Sequence, residues 1–252
     1  MIFCFSGTGN SLMAAERLAD MLGDRVTDIS VCVRENRFGF LADGEDLGFV
    51  FPVYFYGVPR DVRFFIHMLS VQYSEAPYVY AVLTCGEHSG AACRMLEKDL
   101  SRVGLGLAAS HTLVMPANSI PWHDPDPEDV QRSQLDAAAL RLPAIAGSIR
   151  AKERGCMCGD RGPLPGLRTA FMYPMYGRSR RTSGFRVTDA CDGCGLCEEI
   201  CADRAIRIEE GRPAWIIEEC TLCLGCLHRC PRGAIEFGGS EGRRRYINPV
   251  LD

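Results

Sequence analysis

Residues 191–201 read CDGCGLCEEIC and residues 220–231 read CTLCLGCLHRCP. Each run spaces its cysteines as Cys-x2-Cys-x2-Cys-x3-Cys, and Pro231 follows the second. Three cysteines at this pitch wrap one cluster from a single loop. Eight thiolates in two sets of four suit two closed [4Fe-4S] cubanes. Zinc ribbons pair CxxC with CxxC and do not repeat a third and fourth cysteine in this way. A disulfide framework needs an oxidising compartment, against which the amino terminus argues. The runs also form an internal repeat: Cys191 to Cys220 and Cys201 to Cys230 are the same offset. The tails match as well, ADRAIRI after Cys201 and PRGAIEF after Cys230, each placing an Ala-Ile pair where a β-strand should begin. The spacing predicts a protein that moves single electrons.

From about Thr188 to Gly239 the chain resembles a bacterial two-cluster ferredoxin, with its pseudo-twofold repeat. The resemblance implies that the fourth cysteine of each run ligates the other cluster. Cluster I then takes Cys191, Cys194, Cys197 and Cys230, and cluster II takes Cys220, Cys223, Cys226 and Cys201. Ala202 stands where a proline commonly follows the fourth cysteine, which loosens one turn and removes no ligand.

At 252 residues the chain has room for one medium and one small domain, and 47% hydrophobic with 24% charged residues reads as globular and soluble. We place a flavodoxin-like domain at 1–150, a linker at 151–186, the two-cluster domain at 187–242 and a basic tail at 243–252. No apolar run reaches the ~20 residues that span a bilayer. The start runs straight into a strand with no signal peptide, so the expected location is cytoplasmic. Fourteen cysteines then suggest metal ligation in a reducing compartment. The linker carries eight basic against two acidic residues, while the segments on either side are acidic. A linker that neutralises both flanks is preferred to nucleic-acid binding, because no recognition motif accompanies Arg178, Arg180, Arg181 or the tail Arg243-Arg244-Arg245.

Residues 1–150 alternate strand and helix patterns. Strands are expected at 2–5, 25–30, 47–51, 78–83 and 107–115, and helices at 10–22, 60–69, 90–103 and 127–150. The predicted fold is α/β, a flavodoxin-like doubly wound parallel five-stranded sheet in the order 2-1-3-4-5, followed by a small α+β ferredoxin domain. After strand 1 comes Ser6-Gly7-Thr8-Gly9-Asn10-Ser11. Its glycines let backbone N–H groups face an anion, the hydroxyls add donors, and the next helix presents its positive end. It lacks the Gly-Lys-Ser/Thr ending of a Walker A loop and is not GxGxxG. It matches the FMN-phosphate loop of flavodoxins, with serine for the usual final threonine.

Two further loops would flank the flavin ring, at the ends of strands 3 and 4. The first includes Pro52, Val53, Tyr54, Phe55, Tyr56 and Gly57, with Tyr54 or Tyr56 to stack and Gly57 to meet the ring's N5 edge. The second includes Thr84, Cys85, Gly86 and Ser89. Core packing is the competing reading for the tyrosines and for Cys85. Asn118 and Trp122, after strand 5, are candidates to close over the ring. His67, His111 and His228 read as structural, His88 as a loop residue before a proton donor, and Cys156-Met157-Cys158 as two free thiols before a metal or redox pair. No Ser-His-Asp or HExxH arrangement supports hydrolysis.

The whole chain resembles the EFR-type fusions found mainly in anaerobes, with a short flavodoxin-like half followed by a two-cluster ferredoxin half. The resemblance implies FMN plus two [4Fe-4S] clusters and names no substrate. The expected function is electron transfer between flavin and clusters, with a redox protein or a small organic acceptor as partner. Two alternatives stand beside it: a ferredoxin whose first half is a flavin-free docking domain, and a flavin-dependent reductase wired by the clusters.

Overall fold

The computed structural model describes residues 1–159 and 161–251. The elements run β1 Ile2–Cys4, α1 Asn10–Leu22, β2 Val26–Asp28, α2 Ile29–Glu35, β3 Gly39–Leu41, β4 Leu47–Pro52, α3 Arg60–Met68, β5 Ser70–Gln72, β6 Val79–Cys85, α4 Ala92–Arg102, β7 Leu107–Val114 and α5 Glu128–Arg150. After these come β8 Gly155–Met157, α6 Pro165–Ser179, β9 Phe185–Val187, α7 Leu196–Glu199, β10 Ile206–Glu209, β11 Arg212–Trp215, α8 Gly225–His228 and β12 Ile235–Phe237. The main sheet is parallel, in the order β2-β1-β4-β6-β7-β8. Its first five strands have the doubly wound order 2-1-3-4-5.

Strand alternation sorts the core onto two faces. Phe3, Phe5, Phe49, Phe51, Ala81 and Leu83 pack with Val62, Phe65 and Ile66 of α3 and Leu96 and Leu100 of α4. Ile2, Cys4, Val50, Tyr80 and Val82 face the other way, onto Met13, Ala14 and Leu18 of α1 and Leu142 and Ile145 of α5. Helices thus cover both faces, as buried parallel sheets require.

Several elements differ from expectation. The strand expected at 25–30 stops at Asp28, whose carboxylate accepts from the N–H groups of Ser30 (2.6 Å) and Val31 (3.4 Å) and caps α2. The β-branched run Val-Thr-x-Ile-Ser-Val disguised this cap. A sixth strand, β8, is supplied by the stretch read as linker and pairs with β7 at Ser110 and Cys156. The linker also forms α6, with Pro165 in its first turn.

The C-terminal region is built on the repeat. β10 starts at Ile206 and β12 at Ile235, the two Ala-Ile positions. β10 pairs antiparallel with β11, and β12 pairs with β9. A one-turn helix, α7 or α8, carries the third cysteine of each run and ends before the fourth. The core here joins Phe185, Ile206, Leu227, Ile235 and Phe237 to Ile120 and to Tyr176 of α6. The three tail arginines serve as ties: Arg243 donates to Ile120 O (2.6 Å), Arg244 to Pro125 O (3.2 Å), and Arg245 pairs with Glu236 (2.7 Å). No helix among the described residues is long and apolar enough to cross a membrane.

One buried ion network holds α3 to α4. Asp99, 1% exposed, accepts from Arg63 (2.7 and 3.1 Å), His67 (3.0 Å) and Arg102 (3.1 Å). Burial pushes this carboxyl up, but the Arg63 and His67 hydrogen bonds pull it further down, and the net value lies below the ordinary one. The contribution is therefore complete above the unfolded value near pH 4 and is lost as pH falls through the depressed folded value. Asp99→Asn is expected to cost about 2 kcal/mol at pH 7, as a charged hydrogen-bond set would. Denaturant unfolding followed by circular dichroism checks this, and equal midpoints for the two proteins at pH 7 would sink it.

Candidate functional site

A cavity of about 540 Å³ opens at the carboxyl ends of β1, β4 and β6, where doubly wound sheets bind ligands. Its floor is the loop after β1. Gly9 has φ +94°, the left-handed conformation that turns strand into helix, and no side chain caps the N-terminus of α1. The first-turn N–H groups of α1 are therefore available to an anion. Ser6 Oγ accepts from the Gly9 N–H (3.1 Å) and Thr8 Oγ1 accepts from Asn118 Nδ2 (2.6 Å), so both hydroxyls keep their hydrogens to donate. Ser11 Oγ is paired with Thr84 Oγ1 (2.8 Å), which ties the floor to the loop after β6.

Asn10 does other work. Its Nδ2 donates to Pro116 O (3.0 Å), and its Oδ1 accepts from Tyr246 Oη (2.5 Å) and Asn248 Nδ2 (3.1 Å). The C-terminal tail thus wraps back and braces the loop from behind. Nothing in the sequence signals this pairing across more than 230 positions.

The wall is aromatic. Tyr54 and Gly57 exchange backbone hydrogen bonds (3.0 and 2.9 Å) around Phe55 and Tyr56, whose φ values are +48° and +63°. Positive φ at both central residues is the geometry of a type I′ hairpin, which favours glycine or asparagine. Two aromatic residues there cost of order 1–3 kcal/mol each. The turn holds the Phe55 ring stacked on Tyr176 (5.7 Å) and edge-on to Trp122 (5.2 Å).

Of the flavin-site residues expected from sequence, Ser6, Gly7, Thr8, Asn10, Ser11, Pro52, Val53, Tyr54, Phe55, Tyr56, Thr84, Cys85 and Gly86 line the cavity, as do Asn118 and Trp122. Gly9, Gly57 and Ser89 do not. A Cβ on Gly9 would meet Asn248 at 2.8 Å, and one on Gly57 would meet the Tyr173 ring at 2.3 Å. Gly57 therefore makes room for α6, where its smallness had suggested a flavin edge. Ser89 is fully buried behind the wall. Sequence reading missed Met172, Met175 and Tyr176 of α6, and Leu222, Cys223 and Leu224 of the second cysteine run.

The last three bring the two halves together. A Cβ on Gly7 would lie 2.3 Å from the Cys223 carbonyl oxygen, and one on Gly225 3.2 Å from Gly7 O. The floor of the cavity and the second cysteine loop are in backbone contact. α6 secures the joint: Tyr176 Oη accepts from the Arg60 N–H (3.1 Å) and donates to Thr221 O (2.7 Å). Arg60 also pairs with Asp203 (3.2 Å). His228 donates from Nε2 to Asn118 O (2.8 Å) and accepts the Tyr246 N–H at Nδ1 (3.1 Å). Burial pushes it down to about 4, which keeps it in the neutral form these two bonds need.

The cysteines gather in two groups. Cys191, Cys194 and Cys197 line one hollow together with Cys230. Burial raises Cys220, Cys223 and Cys226, and Cys201 is one of the charged neighbours that raise all three further. Cys201 therefore lies with the second run and Cys230 with the first. Burial first, with neighbouring charges adding to it, pushes the Cys220 thiol up to about 12 and Cys197 to about 11. Such sites suit thiolates only when iron compensates the charge. Backbone N–H groups reach Cys201 Sγ from Ala205 (3.2 Å) and Cys230 Sγ from Ala234 (3.3 Å), a matched pair in the repeat. The first set is the outer one, with Cys194 exposed, and the second carries Cys223 to the cavity.

Residues 190–235 match the family of 4Fe-4S dicluster domains. That segment is a 4Fe-4S dicluster domain, which supports an iron–sulfur electron-transfer role. Among solved structures, the Trp repressor binding protein of Bacillus subtilis is 16% identical, over 56% of this chain and 95% of its own, with a TM-score of 0.34. The rubredoxin oxygen:oxidoreductase of the anaerobe Desulfovibrio gigas is 15% identical over 60% of this chain and 36% of its own, at 0.35. The azoreductase of Bacillus anthracis str. Sterne is 12% identical over 59% and 99%, also at 0.35. These likenesses carry no argument about ligand or reaction, and the fold assignment rests on strand order. Comparison with curated proteins finds no match.

Proposed function

We propose that this protein passes electrons between an FMN held in the cavity and two [4Fe-4S] clusters, cluster II being the inner and cluster I the outer. The observation that carries the reading is Cys223, which belongs to the cluster II set and also lines the cavity, against Gly7. The residues suit the cofactor. The uncapped N-terminus of α1, with the Ser6 and Thr8 hydroxyls, can hold a monophosphate. The aromatic wall of Tyr54, Phe55 and Trp122 can take a planar ring, in a volume ordinary for cofactor sites. Bound FMN would exchange electrons singly or in pairs, and each cluster one at a time. The chain's own part is to place, orient and tune. Cys194 is exposed on the outer set, so cluster I would be open to a redox partner, and we propose a cytoplasmic location.

Flavin and iron content per chain, measured on protein purified without oxygen, tests this. About one FMN with about eight iron, the complement of two [4Fe-4S] clusters, is expected. Full iron with no flavin, even after FMN is added, would reduce the first domain to a docking module and overturn the reading.

A further inference from the structure

The CxC pair, read from sequence as two free thiols, is not alone. Cys93, Cys156 and Cys158 bring their Sγ atoms within 4.8 Å of one another. The arrangement follows from the sheet. Cys156 and Cys158 are two apart along and just past β8, so they face the same side. Ser110 of β7 is the register partner of Cys156. α4 covers that side, and its first turn delivers Cys93, 8% exposed. The Ser110 hydroxyl sits among the thiols, 2.9 Å from Cys93 Sγ and 3.5 Å from Cys158 Sγ. Thr112 Oγ1 accepts the Gly159 N–H (2.7 Å) and fixes the chain just beyond Cys158.

We infer that Cys93, Cys156 and Cys158 form a third metal site, one that binds a single thiophilic ion, Zn²⁺. Thiolates select soft or borderline-soft metals, and Zn–S bonds of about 2.3 Å place tetrahedral sulfurs about 3.8 Å apart. Cys93 and Cys156 Sγ are 3.8 Å apart. A fourth position falls to the Ser110 hydroxyl or to a water. A disulfide would use two of these sulfurs and leave the third without a role, whereas a metal ion uses all three. The site is separate from the clusters, since β8 lies four strands from β1, or about 19 Å at ordinary strand spacing. The ion would clamp β8, and with it the start of the segment leading to α6, onto α4. The inference does not depend on a flavin being bound.

The test uses the cluster-loaded protein. It is incubated with Zn²⁺ without oxygen and passed over a chelating resin, after which zinc and iron are counted per chain. Wild type is expected to keep about one zinc, with three sulfurs at about 2.3 Å by zinc-edge absorption spectroscopy. The Cys156→Ser/Cys158→Ser double variant is expected to lose that zinc and keep its iron, which also reports that it has folded. In wild type, Zn²⁺ should slow alkylation of Cys156 and Cys158 at least tenfold. Equal zinc in wild type and variant would overturn the site, because other cysteines would then be holding it. So would alkylation indifferent to Zn²⁺, or a Cys93–Cys156 disulfide in the anaerobic protein.

Discussion

Cys201→Ala is expected to strip cluster II, held by Cys220, Cys223 and Cys226, and to spare cluster I, although the mutated residue belongs to the run that wraps cluster I. The structure groups Cys201 with the second run and places Cys230 in the hollow of the first. Each run is wound about one centre by its three close cysteines. Its fourth lies beyond a one-turn helix that carries it across to the other centre. Iron should fall from about eight toward about four per chain, one [4Fe-4S] complement. Loss of the inner cluster should also cut electron transfer between a bound FMN and cluster I far more than loss of the outer one would. Cys230→Ala is the mirror experiment: cluster I goes and the flavin-proximal cluster stays. Electron paramagnetic resonance of the reduced proteins distinguishes the two, because exposed and buried clusters differ in potential. If Cys201→Ala keeps its full iron, or if it loses the more exposed cluster, the crossed assignment is wrong.

What was legible in the chain was whatever local pattern alone decides. The Ala-Ile repeat placed both following strands. Helical periodicity from Asn10 to Leu22 located α1 to the residue. The order of the first five strands followed from βα alternation, because right-handed crossovers leave few alternatives. The contacts that complete the site were hidden because they join residues far apart in sequence. Tyr246 and Asn248 brace Asn10 through hydrogen bonds that no local pattern announces. Cys93 looked like an ordinary helix residue and Cys156 and Cys158 like stray thiols. Only the pairing of β8 with β7, three residues on each side, brings them together. Gly57 was expected to let the backbone meet a flavin edge, but its neighbour is Tyr173 of α6.

Gly7 concentrates the argument for a joined site. Its missing side chain had one meaning in sequence, room for an anion against the backbone, and gains a second in the fold. An added methyl would stand 2.3 Å from the Cys223 carbonyl oxygen and 3.2 Å from Cys223 C and Cβ. These are mostly backbone atoms of a loop pinned at Cys220, Cys223 and Cys226, so no rotamer change relieves the clash. Overpacking of this kind costs typically about 1–3 kcal/mol. The loops can escape it only by separating, which moves the phosphate floor and the cluster II loop in opposite directions. Gly7→Ala is therefore expected to do three things together: lower FMN affinity about tenfold or more, corresponding to ~1.4 kcal/mol, perturb the cluster II spectrum, and slow electron exchange between them. Cluster I, whose ligands do not touch Gly7, should keep its spectrum. Gly106→Ala is the control, since nothing lies within 4 Å of the added atom, and it should change none of these. Flavin titration and stopped-flow reduction of both variants read the outcome. Wild-type flavin affinity and transfer rate in Gly7→Ala would mean that the two loops are not apposed in the working protein, and the inner cluster would lose its claim to be the flavin's partner.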